Sequence, residues 1–158
     1  MRVLIAYYSK GASAENAAMA VKDFFESKGH SVAIEKIQPF LQLKEYEYEK
    51  LEEIRLKNKL FDVSSFDLVV VGSSVWTFSA SPVAVAYLRK LEGIEGKNFA
   101  LFATCVLPGN AIKSMSNILT TKGAKITETL TIKSIFEIDK KKLKEAGLFA
   151  ESILKKLG

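Results

Sequence analysis

Three short segments hold the residues of this chain that are best suited to bind a ligand. Residues 9–14, 73–81 and 104–110 are rich in small, hydroxyl-bearing or aromatic side chains, and each follows a run of apolar residues. In an open parallel sheet, ligands bind beyond the carboxyl ends of the strands, where the strand order reverses. The apolar runs predict strands of such a sheet, so we expect these loops to form the ligand site.

The first segment has the composition of an anion-binding loop. Its residues are Ser9, Lys10, Gly11, Ala12, Ser13 and Ala14. Small residues let backbone N–H groups approach an anion, and the amino end of the helix predicted to follow favours negative charge. The alternative is that Ser13 only caps that helix. The local sequence leaves both interpretations open.

The second and third segments carry an aromatic pair and the single cysteine. Trp76, the only tryptophan, and Phe78 lie in a polar loop, where they either cover the end of the sheet or form a wall for a flat ligand. Cys105 is expected to be a buried structural thiol. His30, the only histidine, follows a predicted helix, and no nearby base is in place to activate the thiol, so we do not expect cysteine catalysis.

Three other α/β families lack their diagnostic residues here. A dinucleotide-binding fold requires G-x-G-x-x-G after its first strand, and residues 8–14 do not supply it. A phosphotyrosine-phosphatase loop needs an arginine six residues beyond its cysteine, where this chain has Ala111. A response-regulator receiver needs acidic residues after its first strand, where Tyr7 and Tyr8 stand.

The elements that position these loops alternate along the chain, as expected for a parallel sheet covered by helices on both faces. Apolar runs predict strands over 3–8, 31–37, 66–72, 98–105 and 125–132. Amphipathic spacing predicts helices over 14–28, 82–91, 111–122 and 139–157. Residues 40–64 are less regular and predict an inserted helix that lies over a single domain spanning 1–158.

Composition limits the remaining classes of function. One cysteine and one histidine exclude a disulfide framework and leave no recognisable zinc cluster. No apolar run approaches the ~20 residues of a membrane span, and no signal peptide is recognisable, so a cytoplasmic protein is expected. The net charge is +5, but the basic residues are mostly lysines without interleaved aromatics, which disfavours nucleic acid. The lysines form either a solvated surface or a docking face for an acidic partner.

Taken together, the loops and strands resemble those of the flavodoxin family. The similar segments are Val-Leu-Ile-Ala-Tyr-Tyr-Ser-Lys at 3–10, Asp-Leu-Val-Val-Val-Gly-Ser-Ser-Val-Trp at 67–76, Pro-Val at 82–83, Gly-Lys-Asn-Phe-Ala-Leu-Phe-Ala-Thr-Cys at 96–105, Pro-Gly at 108–109 and Lys-Gly-Ala-Lys-Ile at 122–126. The resemblance covers essentially the whole chain and is loosest over 39–64. It implies a three-layer α/β sandwich whose five-stranded parallel sheet has the order 2-1-3-4-5, with helices on both faces.

The resemblance also implies a non-covalent FMN cofactor. The phosphate would lie in the loop 9–14, through the six residues named above. The isoalloxazine would lie between residues 74–78 and 104–109, with Trp76 as the stacking residue. The residues implied for the ring are Ser74, Val75, Trp76, Thr77, Phe78, Thr104, Cys105, Val106 and Gly109.

The chain departs from the family pattern at two places. The family's phosphate loop usually reads Ser/Thr-x-Thr-Gly-Asn-Thr, so two threonine hydroxyls are missing at Gly11 and Ala14. Each lost hydrogen bond to a charged oxygen is worth roughly 1.5–3 kcal/mol. Val106 and Leu107 stand where glycines often flank the flavin.

The implied function is electron transfer between redox partners. One alternative is an FMN-dependent NAD(P)H:quinone-type oxidoreductase, and another is a binding module on the same fold that has weakened or lost FMN binding. The loops 73–81 and 104–110 contain no Asp or Glu. Positive charges around the flavin would raise its reduction potential and favour an acidic redox partner.

Overall fold

The computed structural model describes residues 1–76, 78–134 and 138–158, with the side chain of Trp76 left out. The strands in these ranges are β1 (Arg2–Tyr8), β2 (Ser31–Lys36), β3 (Leu68–Trp76), β4 (Ser79–Ala80), β5 (Asn98–Cys105) and β6 (Lys125–Lys133). The helices are α1 (Ser13–Ser27), α2 (Glu45–Tyr48), α3 (Pro82–Lys90), α4 (Ala111–Thr121) and α5 (Lys140–Leu157). No helix in the described part of the chain is long and apolar enough to cross a membrane.

The long strands form one parallel sheet in the order β2-β1-β3-β5-β6. This order is the predicted 2-1-3-4-5 arrangement, because the added strand β4 lies off the path and pairs only with β3. Helices cover both faces, so the predicted three-layer α/β class is confirmed.

The two faces of the sheet bury separate apolar clusters, because successive side chains of a strand point to opposite sides. On β1, Leu4 and Ala6 pack with α3 and α4, whereas Val3 and Ile5 pack with α1 and α5. The central strands are buried on both faces, as their unbroken apolar sequence predicts. This double burial fixes the carboxyl ends of β1, β3 and β5 beside one another.

Residues 40–64 form only one helical turn, α2, instead of the predicted inserted helix. Side chains in this segment bond to the backbone and compete with helix formation. The Tyr48 hydroxyl donates to the carbonyl of Leu41 at 2.7 Å and accepts from the amide of Leu43 at 3.0 Å. Asn58 accepts from the amide of Gln38 at 2.8 Å. The segment is therefore held against the end of β2 in an irregular path.

Strand β3 continues four residues beyond Gly72, where the sequence predicts that it ends. A Cβ at Gly72 would overlap the ring of Phe102, so this glycine provides space for a core side chain and does not end the strand. The predicted loop 73–81 is consequently a β-hairpin, in which Val75 pairs with Ala80. The hairpin fixes the backbone of the second predicted binding segment.

Candidate functional site

The carboxyl ends of the strands surround a pocket of about 270 Å³. Its lining consists of Lys10, Gly11, Ser13, Ser74, Val75, Thr104, Cys105, Val106 and Ser134. Eight of these nine residues belong to the set proposed from sequence. The exception, Ser134, follows β6, and its position beyond the last strand was the sequence signal for it. All three predicted segments therefore contribute to one concave surface.

The first loop is organised by the hydroxyl of Ser9. This hydroxyl donates to the carbonyl of Gly11 and accepts from the amide of Glu15 at 3.3 Å. Ser9 itself faces a neighbouring cavity and does not line the pocket. The Ser9 hydroxyl therefore shapes the loop, and its direct contact with a phosphate stays a prediction.

Three of the residues that follow Ser9 line the pocket: Lys10, Gly11 and Ser13. Ala12 is the N-cap of α1 and no side-chain cap hydrogen bond is made, so Ser13 is not the capping residue considered above. Ser13 is the first residue of α1 and lines the pocket. Open space surrounds the Cβ position of Gly11. The side chain of Ala14 is buried in the core, which leaves only its backbone near the site.

A hydrogen bond connects the first loop to β3. The amide of Lys10 donates to Ser74 Oγ at 3.2 Å. Val75 follows in the pocket lining, whereas Phe78 lies at the tip of the hairpin with φ +69° and is 55% exposed. Thr77 and the side chain of Trp76 lie outside the described residues, so the stacking role of Trp76 stays a prediction.

The third loop supplies the opposite wall. Thr104 and Cys105 are buried at the end of β5, and the carbonyl of Cys105 accepts from the amide of Ser134 at 2.8 Å. Burial raises the pKa of the Cys105 thiol, although the positive charges of Lys133 and Lys142 act in the opposite sense. Burial therefore disfavours the thiolate form, as expected for a structural cysteine.

A second groove, of about 210 Å³, extends the pocket outward. It is lined by Val75, Phe78, Val106 and Leu107, and it shares Val75 and Val106 with the pocket. Val106 and Leu107 are each 61% exposed. Gly109 packs against the main chain of Phe78 at the far end and lines neither cavity. The apolar surface therefore begins in the pocket and continues to solvent.

Sequence analysis missed an acidic residue beside the first loop. Glu15, in the first turn of α1, accepts a hydrogen bond from the Tyr7 hydroxyl at 2.8 Å and pairs with Lys36 Nζ at 3.8 Å. Burial, together with this carboxylate, raises the pKa of Tyr7 to about 12. An acid in the first turn of a helix is favourable for the helix dipole and gave no separate signal of a site.

The donor set of the pocket fits FMN. Lys10, Ser13 and the amino end of α1 supply groups suited to a phosphate. Val75, Cys105 and Val106 supply apolar surface suited to a flat ring. No Asp or Glu lines the pocket or the outer groove within the described residues.

Comparison with known proteins identifies the fold. No family model and no curated protein matches the chain. Among solved structures, oxidised Flavodoxin 2 from Bacillus cereus is similar with 20% identity and a TM-score of 0.71, covering 99% of each chain. Two-electron reduced flavodoxin from Megasphaera elsdenii has 17% identity and a TM-score of 0.72, covering 97% of this chain and 98% of that one.

A larger protein contains the same fold as one part. The chain covers 37% of rubredoxin oxygen:oxidoreductase from Desulfovibrio gigas, with 99% of this chain aligned, 16% identity and a TM-score of 0.67. These likenesses extend over nearly all of this chain and agree with its strand order. The protein therefore has the flavodoxin-like fold.

Proposed function

We propose that the protein binds FMN in this pocket and transfers electrons between redox partners. The observation that carries the proposal is the convergence of the three predicted segments on one pocket that has both polar and apolar lining residues. The similar flavodoxin structures support it, because flavodoxins typically bind FMN. When bound, FMN supplies the one- and two-electron chemistry, and the protein supplies binding, orientation and electrostatics.

In this proposal, the role of each pocket residue follows from its position. Lys10, Ser13 and the amino end of α1 hold the phosphate, since cations, hydroxyls and N–H groups favour its negative charge. Val75, Thr104 and Val106 flank the ring. The exposed groove beyond Val106 leaves one edge of the ring within reach of a partner.

This surface suits an acidic partner protein that also packs against its apolar residues. Phe78, Val106 and Leu107 expose a compact apolar area beside the pocket. Lys10 lines the pocket, and Lys133 and Lys142 lie close enough to act on Cys105. Positive charges around an apolar centre increase the association rate with a negatively charged protein.

A second candidate is a binding module with weak FMN affinity. The Ser9 hydroxyl is engaged within its own loop, and Ala14 contributes no side chain to the pocket. From this loop the pocket is lined by Lys10, Gly11 and Ser13, so Ser13 is the loop's only hydroxyl-bearing lining residue. Fewer hydroxyl contacts lower the affinity, and this candidate predicts a protein that is purified without flavin.

Electron transfer to acceptors of opposite charge tests the proposed function. The FMN-loaded protein is reduced without oxygen and mixed with a one-electron acceptor protein of net negative charge or one of net positive charge. We expect faster transfer to the negative acceptor, with a rate that falls as salt is added. Failure to load FMN, or to reduce either acceptor, would contradict the proposal. Steady oxidation of a nicotinamide donor with a quinone would instead identify a reductase.

A further inference from the structure

The buried carboxylate of Glu45 connects two of the segments that form the pocket. Glu45 lies in α2, outside the sheet, yet its residue exposure is only 3%. Its Oε1 accepts a hydrogen bond from the Tyr8 hydroxyl at 3.1 Å, and its Oε2 accepts one from the Ser81 hydroxyl at 3.3 Å. Tyr8 ends β1 directly before the first loop, and Ser81 follows the β3–β4 hairpin. One side chain therefore joins both.

Further hydrogen bonds lead from Ser81 to the pocket lining. The Ser81 amide donates to Ser73 Oγ at 3.3 Å, and the Ser73 hydroxyl donates to the carbonyl of Ser74 at 2.8 Å. Ser74 Oγ in turn accepts from the amide of Lys10 at 3.2 Å. Since Ser74 and Lys10 line the pocket, this path of contacts runs from Glu45 to the cofactor site.

Ser81 is also the N-cap of α3, because its hydroxyl oxygen accepts from the amide of Val83 at 3.2 Å. Its rotamer is therefore fixed from two sides, by the helix and by the carboxylate. A buried carboxylate is costly unless hydrogen bonds compensate for the lost water. Here each of its oxygens accepts a hydrogen bond from a hydroxyl, so loss of one hydroxyl partner leaves one buried carboxylate oxygen without its hydrogen bond.

We propose that Glu45 is a positioning residue of the cofactor site, whose carboxylate fixes the first loop relative to the β3–β4 hairpin and thereby sets the affinity for the flavin. This inference rests on the proposed function. Glu45 acts through Tyr8 and Ser81, and it lines a separate polar cavity of about 350 Å³ on the other side of the first loop. Lys10 lines both cavities, so a shift of the loop changes both at once.

The first test replaces the carboxylate by an amide of the same size. In Glu45→Gln, one of the two hydroxyl donors meets an N–H donor in place of an acceptor. We expect the dissociation constant for FMN to rise about tenfold or more. Riboflavin, which lacks the phosphate, should weaken by a similar factor, because the relative position of the loops changes. The matched control is Glu52→Gln, which removes an exposed carboxylate of the same segment and should leave both affinities unchanged.

A double-mutant cycle separates positioning from general loss of stability. If Glu45 acts through Ser81, the two substitutions should not have additive effects. The dissociation constant for FMN of the double variant Glu45→Gln/Ser81→Ala should then be no higher than the higher of the two single-variant values. Additive losses would contradict the proposed path. Tyr8→Phe removes only one of the two hydrogen bonds and should give a smaller loss, which keeps the test available if Glu45→Gln does not fold.

Hydrogen exchange tests the same inference without FMN. The amides of Lys10 and Ser81 donate to Ser74 and Ser73, so Glu45→Gln should increase their exchange rates in the apoprotein. Amides of the central strand β5, such as that of Phe102, should exchange as in the wild type. Unchanged exchange at Lys10 and Ser81 would overturn the role of Glu45. Absence of FMN binding by the wild type would overturn the proposed function. The exchange rates would still show whether Glu45 fixes the first loop relative to the hairpin, because they are measured in the apoprotein.

Discussion

The carbonyl of Phe78 accepts a 2.6 Å hydrogen bond from the amide of Asn110 and ties the β3–β4 hairpin to the third loop. The side chains reinforce this link, because the Ser79 hydroxyl donates to Asn110 Oδ1 at 3.1 Å. Phe78 reaches this position with φ +69°, a conformation that is strained for a bulky residue. The contact therefore joins the hairpin to the third loop beside the outer groove, which Val75, Phe78 and Val106 line.

Gly109→Ala should disrupt this contact. A Cβ at position 109 would overlap the carbonyl and Cα of Phe78, so the loops have to separate. We expect the unfolding free energy to fall by about 1–3 kcal/mol and the affinity for FMN to decrease. Denaturant unfolding and FMN titration measure the two effects. Gly147→Ala is the control: its Cβ position is open, and it should leave FMN binding unchanged. Wild-type stability in Gly109→Ala would disprove the close approach.

The Ser13 hydroxyl should contribute to FMN affinity but not to riboflavin affinity. Ser13 lines the pocket, and in the proposed binding mode FMN, unlike riboflavin, places a phosphate beside it. Ser13→Ala should therefore weaken FMN roughly tenfold and leave riboflavin nearly unchanged. Ser9→Ala should weaken both ligands, because the Ser9 hydroxyl holds the loop itself. Parallel fluorescence titrations with FMN and riboflavin measure these affinities. Equal losses of affinity for both ligands in Ser13→Ala would place Ser13 away from the phosphate.

Glu128 should contribute to stability at neutral pH and lose that contribution in acid. Hydrogen bonds from Lys156 Nζ at 2.8 Å and Ser152 Oγ at 2.5 Å lower its pKa from 4.5 to about 2. A carboxylate with a lowered folded-state pKa stabilises the fold above its unfolded pKa, and the effect disappears as pH falls through the folded value. We expect Glu128→Gln to cost about 1–2 kcal/mol at pH 7, after allowance for solvent around Lys156.

The pH dependence gives the check on Glu128. Unfolding free energies of the wild type and Glu128→Gln should converge as pH is lowered from about 5 to about 2. Glu151→Gln serves as a control, since Glu151 only pairs with the largely exposed Lys155 on the surface of α5. A difference between wild type and Glu128→Gln that is independent of pH would show that the carboxylate charge is not the cause.

A carboxylate placed at Val106 should lower the reduction potential of bound flavin. No Asp or Glu lines the pocket or the outer groove within the described residues, and Val106 borders both. At an effective dielectric near 20, a charge ~8 Å away changes the energy of an anion by about 2 kcal/mol, less with solvent screening. Val106→Glu should therefore lower the potential of the second electron by several tens of millivolts relative to Val106→Gln. Equal potentials in spectroelectrochemistry would contradict this electrostatic argument.

The fold was predictable because its strands and helices follow simple periodicities. The run from Leu68 to Val71 is buried on both faces, and its apolar sequence identified it as a central strand. The prediction that this strand ends at Gly72 was wrong. Glycine is needed there because the ring of Phe102, which is distant in sequence, fills the space of a side chain. Tertiary contacts of this kind have no local signal.

The site was only partly predictable for a similar reason. The order of strands and loops predicted that the segments containing Lys10, Ser13 and Val106 meet at one edge of the sheet, and the resemblance implied that these residues surround one ligand. The internal hydrogen bonds of Ser9 depend on backbone geometry that composition does not reveal. Glu45 falls in the segment 40–64, for which the sequence predicts only an inserted helix, and only the packing of this segment shows that Glu45 is buried beside Tyr8.

Titration of the apoprotein with FMN, followed by flavin fluorescence, tests the central claim most directly. The account predicts saturable quenching at one FMN per chain, with riboflavin bound more weakly because it lacks the phosphate that Lys10 and Ser13 hold. The Gly109→Ala variant should show weaker quenching at the same concentrations. Fluorescence that stays equal to that of free FMN at every protein concentration would contradict the proposed cofactor site.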